Sequence, residues 1–410
     1  MSYRKARIVV VGGGAAGIAA ARRLHDARVD YLLVEARARL GGRAVTFQAG
    51  GYPLDLGCGW FHSADRNPWP QIAQAQGRAI DRSPPPWQRQ SYEAGFPIAD
   101  QKAFLAAGEA FRARMERADL TERDRPAADF LAPADRWNPL LNAVSTYVSG
   151  TELARVSARD LLNYEDDDVN WRAPDGYGAV VTAHGAGLNA VLDCRAEKIE
   201  WGVTPLKLQT SRGSIECDAV IVSLPTDVIA ARPELFDPLL PEKTEAAGGL
   251  PLGLADKLFL SLLRPEEFEK DSRIFGHIDR AATAIYHMRP FARPLIECYF
   301  GGACAQDLET SGEGAFFEFA RDELVGVLGS DFASRIAPLP MHLWRQDPYA
   351  RGSYSCALPH RAGDRRRLAE PVEGRLFFAG EACSLHSFST AHGAYFSGID
   401  AADAYLREAR

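Results

Sequence analysis

No stretch of this 410-residue chain approaches the roughly 20 consecutive apolar residues that a bilayer-spanning helix needs. A membrane protein is therefore not expected. The first residues, Met1-Ser2-Tyr3-Arg4-Lys5, run straight into an apolar strand and leave no room for a signal peptide, and the end at Arg410 carries no anchor. The seven cysteines (Cys58, Cys194, Cys217, Cys298, Cys304, Cys356 and Cys383) form an odd set with no CxxC pair. That set fits free thiols in a reducing cytoplasm rather than a disulfide framework. Nine histidines are scattered without metal-ligand spacing, so no metal is expected. Tandem repeats, low-complexity tracts, a nucleophile triad and paired carboxylates are all missing. Positive charge is not in excess either. A net charge of −7 gives no reason to expect nucleic acid or an anionic membrane as partner. Two charged runs read blandly, Glu165-Asp166-Asp167-Asp168 as a solvated loop and Arg365-Arg366-Arg367 as an exposed turn. What is present is the composition of a soluble globular protein, 46% apolar and 25% charged, long enough for two domains.

The most informative stretch runs from Arg7 to Thr46. A short apolar strand, Ile8-Val9-Val10-Val11, leads into Gly12-Gly13-Gly14-Ala15-Ala16-Gly17. A helix of small residues from Ala15 to about Asp26 follows, then a second strand, Tyr31 to Val34, ending at Glu35. Strand, glycines, helix, strand and acid in this order and spacing are the βαβ dinucleotide fingerprint. Gly12 permits the tight turn, Gly14 lets backbone approach a pyrophosphate, and Gly17 lets the helix pack closely. The helix start offers free N–H groups and a positive dipole end, and Glu35 can accept hydrogen bonds from ribose hydroxyls.

Beyond Pro84-Pro85-Pro86, residues 101–165 read as helical and amphipathic, with Phe104, Leu105, Phe111 and Met115 at near-helical spacing. Sheet-like segments return after Gly176: Lys198-Ile199, Lys207 to Thr210, and the apolar run Ala219 to Leu224 closed by Pro225. A further block, 247–346, mixes strands such as Lys257 to Leu262 with a helix over Ala315–Leu328. Gly374 to Glu381 reads as a buried strand ending in a turn, and Ala391 to Glu408 as a closing helix. The chain is thus expected to visit two domains more than once, with 1–80, 175–246 and 347–410 in one and 81–174 and 247–346 in the other.

Five separated motifs, in order across nearly the whole chain, resemble the flavin amine oxidases, which include monoamine, polyamine and L-amino-acid oxidases. They are the fingerprint with its Arg39-x-Gly41-Gly42-Arg43-x-x-Thr46 extension; Leu54-Asp55-Leu56-Gly57-Cys58-Gly59-Trp60-Phe61-His62; Asp256-Lys257-Leu258-Phe259-Leu260; Trp344-Arg345-Gln346-Asp347-Pro348-Tyr349-Ala350-Arg351-Gly352-Ser353-Tyr354; and Phe378-Ala379-Gly380-Glu381 with Thr390-Ala391-His392-Gly393-Ala394. The resemblance implies an α/β fold: a Rossmann-like FAD-binding domain joined to a mixed α+β substrate domain. It implies oxidation of a C–N bond in an amine or amino acid, with hydride passing to flavin N5, an imine product and reoxidation by O2 to peroxide. Two readings remain open beside it: a related C–C desaturase of the porphyrinogen or carotenoid type, and a flavin-bearing binding protein with little turnover.

By the same resemblance, FAD is expected to contact Gly12, Gly14, Ala15, Ala16, Gly17, Glu35, Ala36 and Arg37 at the fingerprint. Further along, Gly42, Arg43, Gly57, Gly59, Trp60, Glu197, Gly380, Glu381, Thr390 and Ala391 complete the cofactor set. Arg43 would face the pyrophosphate, where a guanidinium fork suits phosphate oxygens. Glu381 would face the ribityl–phosphate region, and the Ala391 N–H the flavin pyrimidine edge. Lys257 would hold a water against N5 and assist oxygen reduction; its residue-level alternative is a surface lysine on a strand. Trp344 and Tyr354 would orient the substrate, and the second aromatic position of that cage falls on Thr390. His62 would bind substrate, relay a proton, or serve the fold. Some relatives attach the flavin through a cysteine where this chain has Ser353, with Cys356 too far on to replace it, so FAD is expected to be noncovalent.

Overall fold

The structure, a computed structural model, describes residues 4–120 and 123–408; the terminal residues 1–3 and 409–410 read above lie outside them. The Ile8–Val11 strand sits in the middle of a five-stranded parallel sheet, in the order Leu376–Phe378, Ala219–Val222, Ile8–Val11, Tyr31–Val34, Ala190–Val191. Three of these strands are four apolar residues long and buried throughout, the near-continuous pattern that a parallel sheet covered on both faces requires. Alternation divides them: Ile8, Val10, Leu33 and Ile221 face the helices Ala15–Asp26 and Ala391–Glu408. Val9, Val11, Leu32 and Val220 face a second sheet built on the antiparallel strands Ala196–Glu200, Leu206–Thr210 and Gly213–Cys217. The two helices cross tightly because Gly398 lies against the first: a Cβ there would fall 2.1 Å from the Ala16 carbonyl oxygen.

A third sheet is antiparallel, in the order Ser272–Phe275, Ile285–Met288, Leu295–Gly301, Ala255–Leu262, Ile336–Pro338. The two-residue period of a strand gives it two different faces. Leu258, Cys298, Tyr286 and Ile274 form one cross-strand row, buried against Phe316, Ala320 and Leu324 of the helix Glu313–Leu328. On the opposite face the rows are Lys257, Tyr299, Ile285, Phe275 and Phe259, Glu297, His287, Arg273. All of these except Phe259 line the large cavity described below.

Two expectations change. Residues 101–165 are not one helical block but the helices Ile98–Glu116, Asn138–Ser149 and Ala158–Asn163 with single turns between them. Leu105 is 64% exposed, since Phe104, Phe111 and Met115 already define the covered side of its helix. The Arg365–Arg367 run is a helix, Asp364–Ala369, rather than an exposed turn. Arg365 points inward, 1% exposed, and forks onto Asp160 at 2.7 Å through Nε and Nη2. The covered face of a short helix, with an acid waiting on it, decides its place.

Candidate functional site

A cavity of about 1280 Å³ opens at the carboxyl ends of the parallel strands and runs on beneath the third sheet. The parallel sheet builds its first half. Gly12 leaves the strand with φ +103°. A Cβ on Gly17 would sit 1.8 Å from the Gly12 carbonyl oxygen, so the helix can approach the strand only without a side chain there. The helix has no side-chain cap and no acid in its first turn; its first N–H groups have no intrahelical partner and face the cavity at Ala15 and Ala16. Beside it the Arg39–Arg43 segment docks through Gly41 N to Gly13 O at 2.8 Å. Glu35, 4% exposed, accepts from Gly13 N at 2.7 Å and Arg37 N at 2.8 Å, which fixes the turn and the strand end together.

The charged side chains in this half are paired. Arg37 Nη2 donates to both carboxylate oxygens of Asp347, at 2.6 and 2.7 Å. Arg43 reaches Glu381 at 3.1 Å. Burial alone would raise Glu381, but Arg43 and then Ser355 hold it below its ordinary value. Ser355 Oγ at 2.6 Å and Ser389 N at 2.9 Å complete its shell. Glu197 pairs with Arg195 at 2.8 Å on the exposed rim.

Lys257 is not a surface residue; it is 7% exposed on the floor of the cavity. Its Nζ lies 2.9 Å from Glu297 Oε1 and passes over Gly59, where a Cβ would come within 3.0 Å of it. Glu297 faces His287 Nδ1 at 3.5 Å, His287 Nε2 faces Asp271 at 3.0 Å, and Asp271 meets Arg172 at 3.0 Å. Arg172 ends the chain at Asp81, 2.6 Å away. Six ionisable groups, Lys257, Glu297, His287, Asp271, Arg172 and Asp81, therefore form one connected chain that starts at the cavity floor. Burial alone would lower Lys257, but Glu297 and Tyr299 hold it above its ordinary value. Burial would likewise raise Glu297, and Lys257, then His287, hold it low.

Trp344 and Tyr354 both line the cavity. Trp344 is anchored by Nε1 to Leu56 O at 3.0 Å. Tyr354 lies 3.1 Å from the Tyr299 hydroxyl and donates to the Tyr147 carbonyl. Thr390 stands before the Ala391–Glu408 helix and caps it, its Oγ1 accepting from Gly393 N at 2.9 Å. That duty suits a threonine where a cage would want an aromatic ring. His62 bonds Asn170 Oδ1 at 2.6 Å and lies 3.9 Å from Asp166; burial lowers its pKa. The acidic run is not merely a solvated loop, because Asp166 and Asp168 form part of the cavity wall. Ser353 turns its hydroxyl onto the Ala255 backbone, accepting at 2.9 Å and donating at 2.8 Å. The Cys356 thiol is buried and pushed up to about 12 by that burial, and all seven cysteines are free.

Of the anticipated site residues, all but Gly17 border the cavity, and Gly17 acts beneath it through its packing. His392 does not border it; it is 3% exposed and pushed down to about 3, by burial first and then by His62 and Arg66. Unread in the sequence were Glu297, His287, Tyr299 and Tyr147. Strand alternation puts Glu297 and Tyr299 on one face of their strand, but only pairing register places that face over Lys257.

Two expected results arise here. Gly17→Val forces the helix away from the strand turn, so the purified variant should lose its bound dinucleotide while keeping its far-ultraviolet circular dichroism; a fully loaded variant would contradict the packing argument. The second concerns pH. His392 stays neutral in the fold, whereas in the unfolded chain it takes a proton below about pH 6.5. Its depressed pKa therefore supplies stability present above pH 6.5 and lost as pH falls, at up to about 1.4 kcal/mol per unit down to about pH 4. His392→Gln should flatten that part of the denaturation-midpoint profile; an unchanged slope counts against it.

The family profile of the flavin containing amine oxidoreductases matches residues 99–406, and that of an NAD(P)-binding Rossmann-like domain residues 10–75. The chain is 27% identical over 432 residues to polyamine oxidase 4 of Oryza sativa subsp. japonica, covering 97% of this chain and 88% of that protein. Against polyamine oxidase 2 of Arabidopsis thaliana it is 27% identical over 442 residues, 98% of this chain and 88% of the relative. A solved structure of a putrescine oxidase double mutant, from a redesign of cofactor binding, superposes with a TM-score of 0.79 at 16% identity, over 99% of this chain and all of the other.

Proposed function

The chain belongs to the flavin-containing amine oxidoreductases, and from that premise we propose that it oxidises the C–N bond of a small-molecule amine with noncovalently held FAD, reoxidised by O2. The residues fit the cofactor. An uncapped helix start opens into the cavity beside Arg43, where a pyrophosphate finds N–H donors and a cation. Glu35, at the end of the second parallel strand, would hold an adenosine ribose; Gly59 keeps the backbone bare above Lys257, and Gly57 packs on the Arg43 carbonyl. Ser353 offers no thiol for attachment. When bound, FAD supplies the acceptor for the hydride leaving the substrate's α-carbon.

The chain's own residues do the rest. The single observation that carries the reading is Lys257, a buried cation on the cavity floor among the aromatic side chains Tyr299, Tyr354 and Trp344. Tyr354 and Trp344 are held rigid by Tyr147, Tyr299 and Leu56 and confine the amine. Lys257, kept protonated by Glu297, fixes a water and favours negative charge developing nearby. Ala391, at the amino end of an 18-residue helix, adds a positive dipole end on another wall. Residues 1–80, 175–246 and 347–410 form the cofactor half in this reading, and 81–174 with 247–346 the substrate half. The free cysteines favour a reducing cytoplasm; among the described residues no helix is long and apolar enough to cross a membrane.

Hydride loss from a neutral amine requires no obligate catalytic base, so the amine should enter neutral. Turnover should rise with pH across the substrate's pKa, with one peroxide formed per amine consumed. A flat profile, or oxidation of C–C bonds instead, would overturn the proposal.

A further inference from the structure

Seven lysines and arginines border the cavity, and six of them are paired. Arg37 meets Asp347, Arg43 Glu381, Arg112 Glu116, Arg195 Glu197, Arg232 Glu234 and Lys257 Glu297. Arg273 is the exception. Among the described residues no carboxylate lies within ion-pair distance of it; its hydrogen bond is from Nε to Ser91 Oγ at 3.0 Å, and it stacks 4.9 Å from the Phe275 ring. Asp271, two residues earlier, is committed to Arg172 and His287. Burial alone lowers Arg273, to about 10, which leaves it charged at neutral pH. A largely desolvated guanidinium without a counter-ion is costly, and nothing in the fold repays that cost.

We propose that Arg273 binds the carboxylate of a substrate whose amine is oxidised at the other end of the cavity. Ser91 holds Nε, which leaves the two terminal nitrogens to make the forked contact a carboxylate accepts. A single guanidinium matches a monoanion better than a doubly charged phosphate. The register sets the length of the ligand. Lys257, Tyr299, Ile285 and Phe275 form one row across four strands, and Arg273 lies two residues along from Phe275 on the same face. Three strand spacings are about 14 Å, too far for the carboxylate of an α-amino acid reacting beside Lys257. Along that row the cavity wall between the two ends is Tyr299, Ile285 and Phe275, and Phe111, Met115, Leu141 and Val144 add further apolar lining to the same cavity. The substrate class is therefore an amine with an apolar middle and a carboxylate remote from its nitrogen. This inference rests on the amine-oxidation reading for its chemistry, but not for its anion site.

The test is titration calorimetry of the holoprotein with octanoate and, separately, octanamide. Octanoate should bind, octanamide should bind far more weakly, and octanoate affinity should fall as the carboxylate protonates below about pH 5. Arg273→Met should weaken octanoate about 30-fold or more, the scale for removing one partner of a buried charge pair, and leave octanamide unchanged. Arg273→Lys should retain part of the affinity. Equal binding of the two ligands, no octanoate binding, or octanoate binding untouched by a folded Arg273→Met would overturn the proposal. Should Arg273→Met fail to fold, the comparison of ligands and the pH dependence on the wild-type protein still decide it. Failure of the oxidation reading would show elsewhere, as a flavin that no amine bleaches while octanoate still binds.

Discussion

Lys257→Met is expected to slow the return of the visible flavin band in air by about 10²-fold or more, the scale lost when one preorganised group facing a developing charge is removed. The same change should also lower stability, by up to about 3 kcal/mol, because the largely covered Glu297 would lose its lysine and keep only His287 as a partner. Those two losses have different cures. Adding Glu297→Gln removes the stranded charge and should restore most of the stability, while leaving reoxidation slow. Stopped-flow reoxidation and denaturant unfolding on the single and double variants separate them. If reoxidation recovers along with stability, Lys257 serves the fold alone. An unchanged rate in the single variant would remove it from the chemistry altogether.

Arg365→Met should be at least as damaging to the fold. Arg365 and Asp160 are 1% and 2% exposed in their side chains and 2.7 Å apart, so either one left alone is a buried unpaired charge, costing about 3–5 kcal/mol. The effect should reach the cofactor half as well. Arg365 Nη1 donates to Ser355 Oγ at 2.9 Å, Ser355 Oγ donates to Glu381 Oε2 at 2.6 Å, and Glu381 positions Arg43. Flavin retention on gel filtration should therefore fall with stability. Replacing both Arg365 and Asp160 by leucine removes the unpaired charge and should be far milder than either single change. Equal losses in all three variants would show that the pair matters for its packing alone.

The contrast between Lys257 and Arg365 shows what the sequence could and could not disclose. The Gly12–Gly17 turn, its helix and Glu35 were legible because their signals are local: a glycine-rich turn leaving an apolar strand, and an acid at the end of the next strand. The start of the last helix at Ala391 was legible in the same way. Lys257 could be singled out only through its neighbours in a motif, and its burial beside Glu297 came from a register between strands 40 residues apart. Arg365 looked like an exposed run because its partner, Asp160, lies 205 residues away. Arg273 carried no motif; its meaning comes from the missing acid around it, which only the packed structure displays. Leu105 misled because helical spacing alone cannot say which side of a partly covered helix the fold will bury.

C–N oxidation in the cavity over Lys257 is decided by anaerobic mixing. Purified yellow protein is mixed without oxygen with alkyl monoamines, polyamines, amino acids and ω-amino carboxylates while the visible flavin band is followed. Amines should bleach the band, those that carry a remote carboxylate fastest, and the band should return when air is admitted. A fully loaded flavin that no amine bleaches would contradict C–N oxidation and favour C–C desaturation or a binding role.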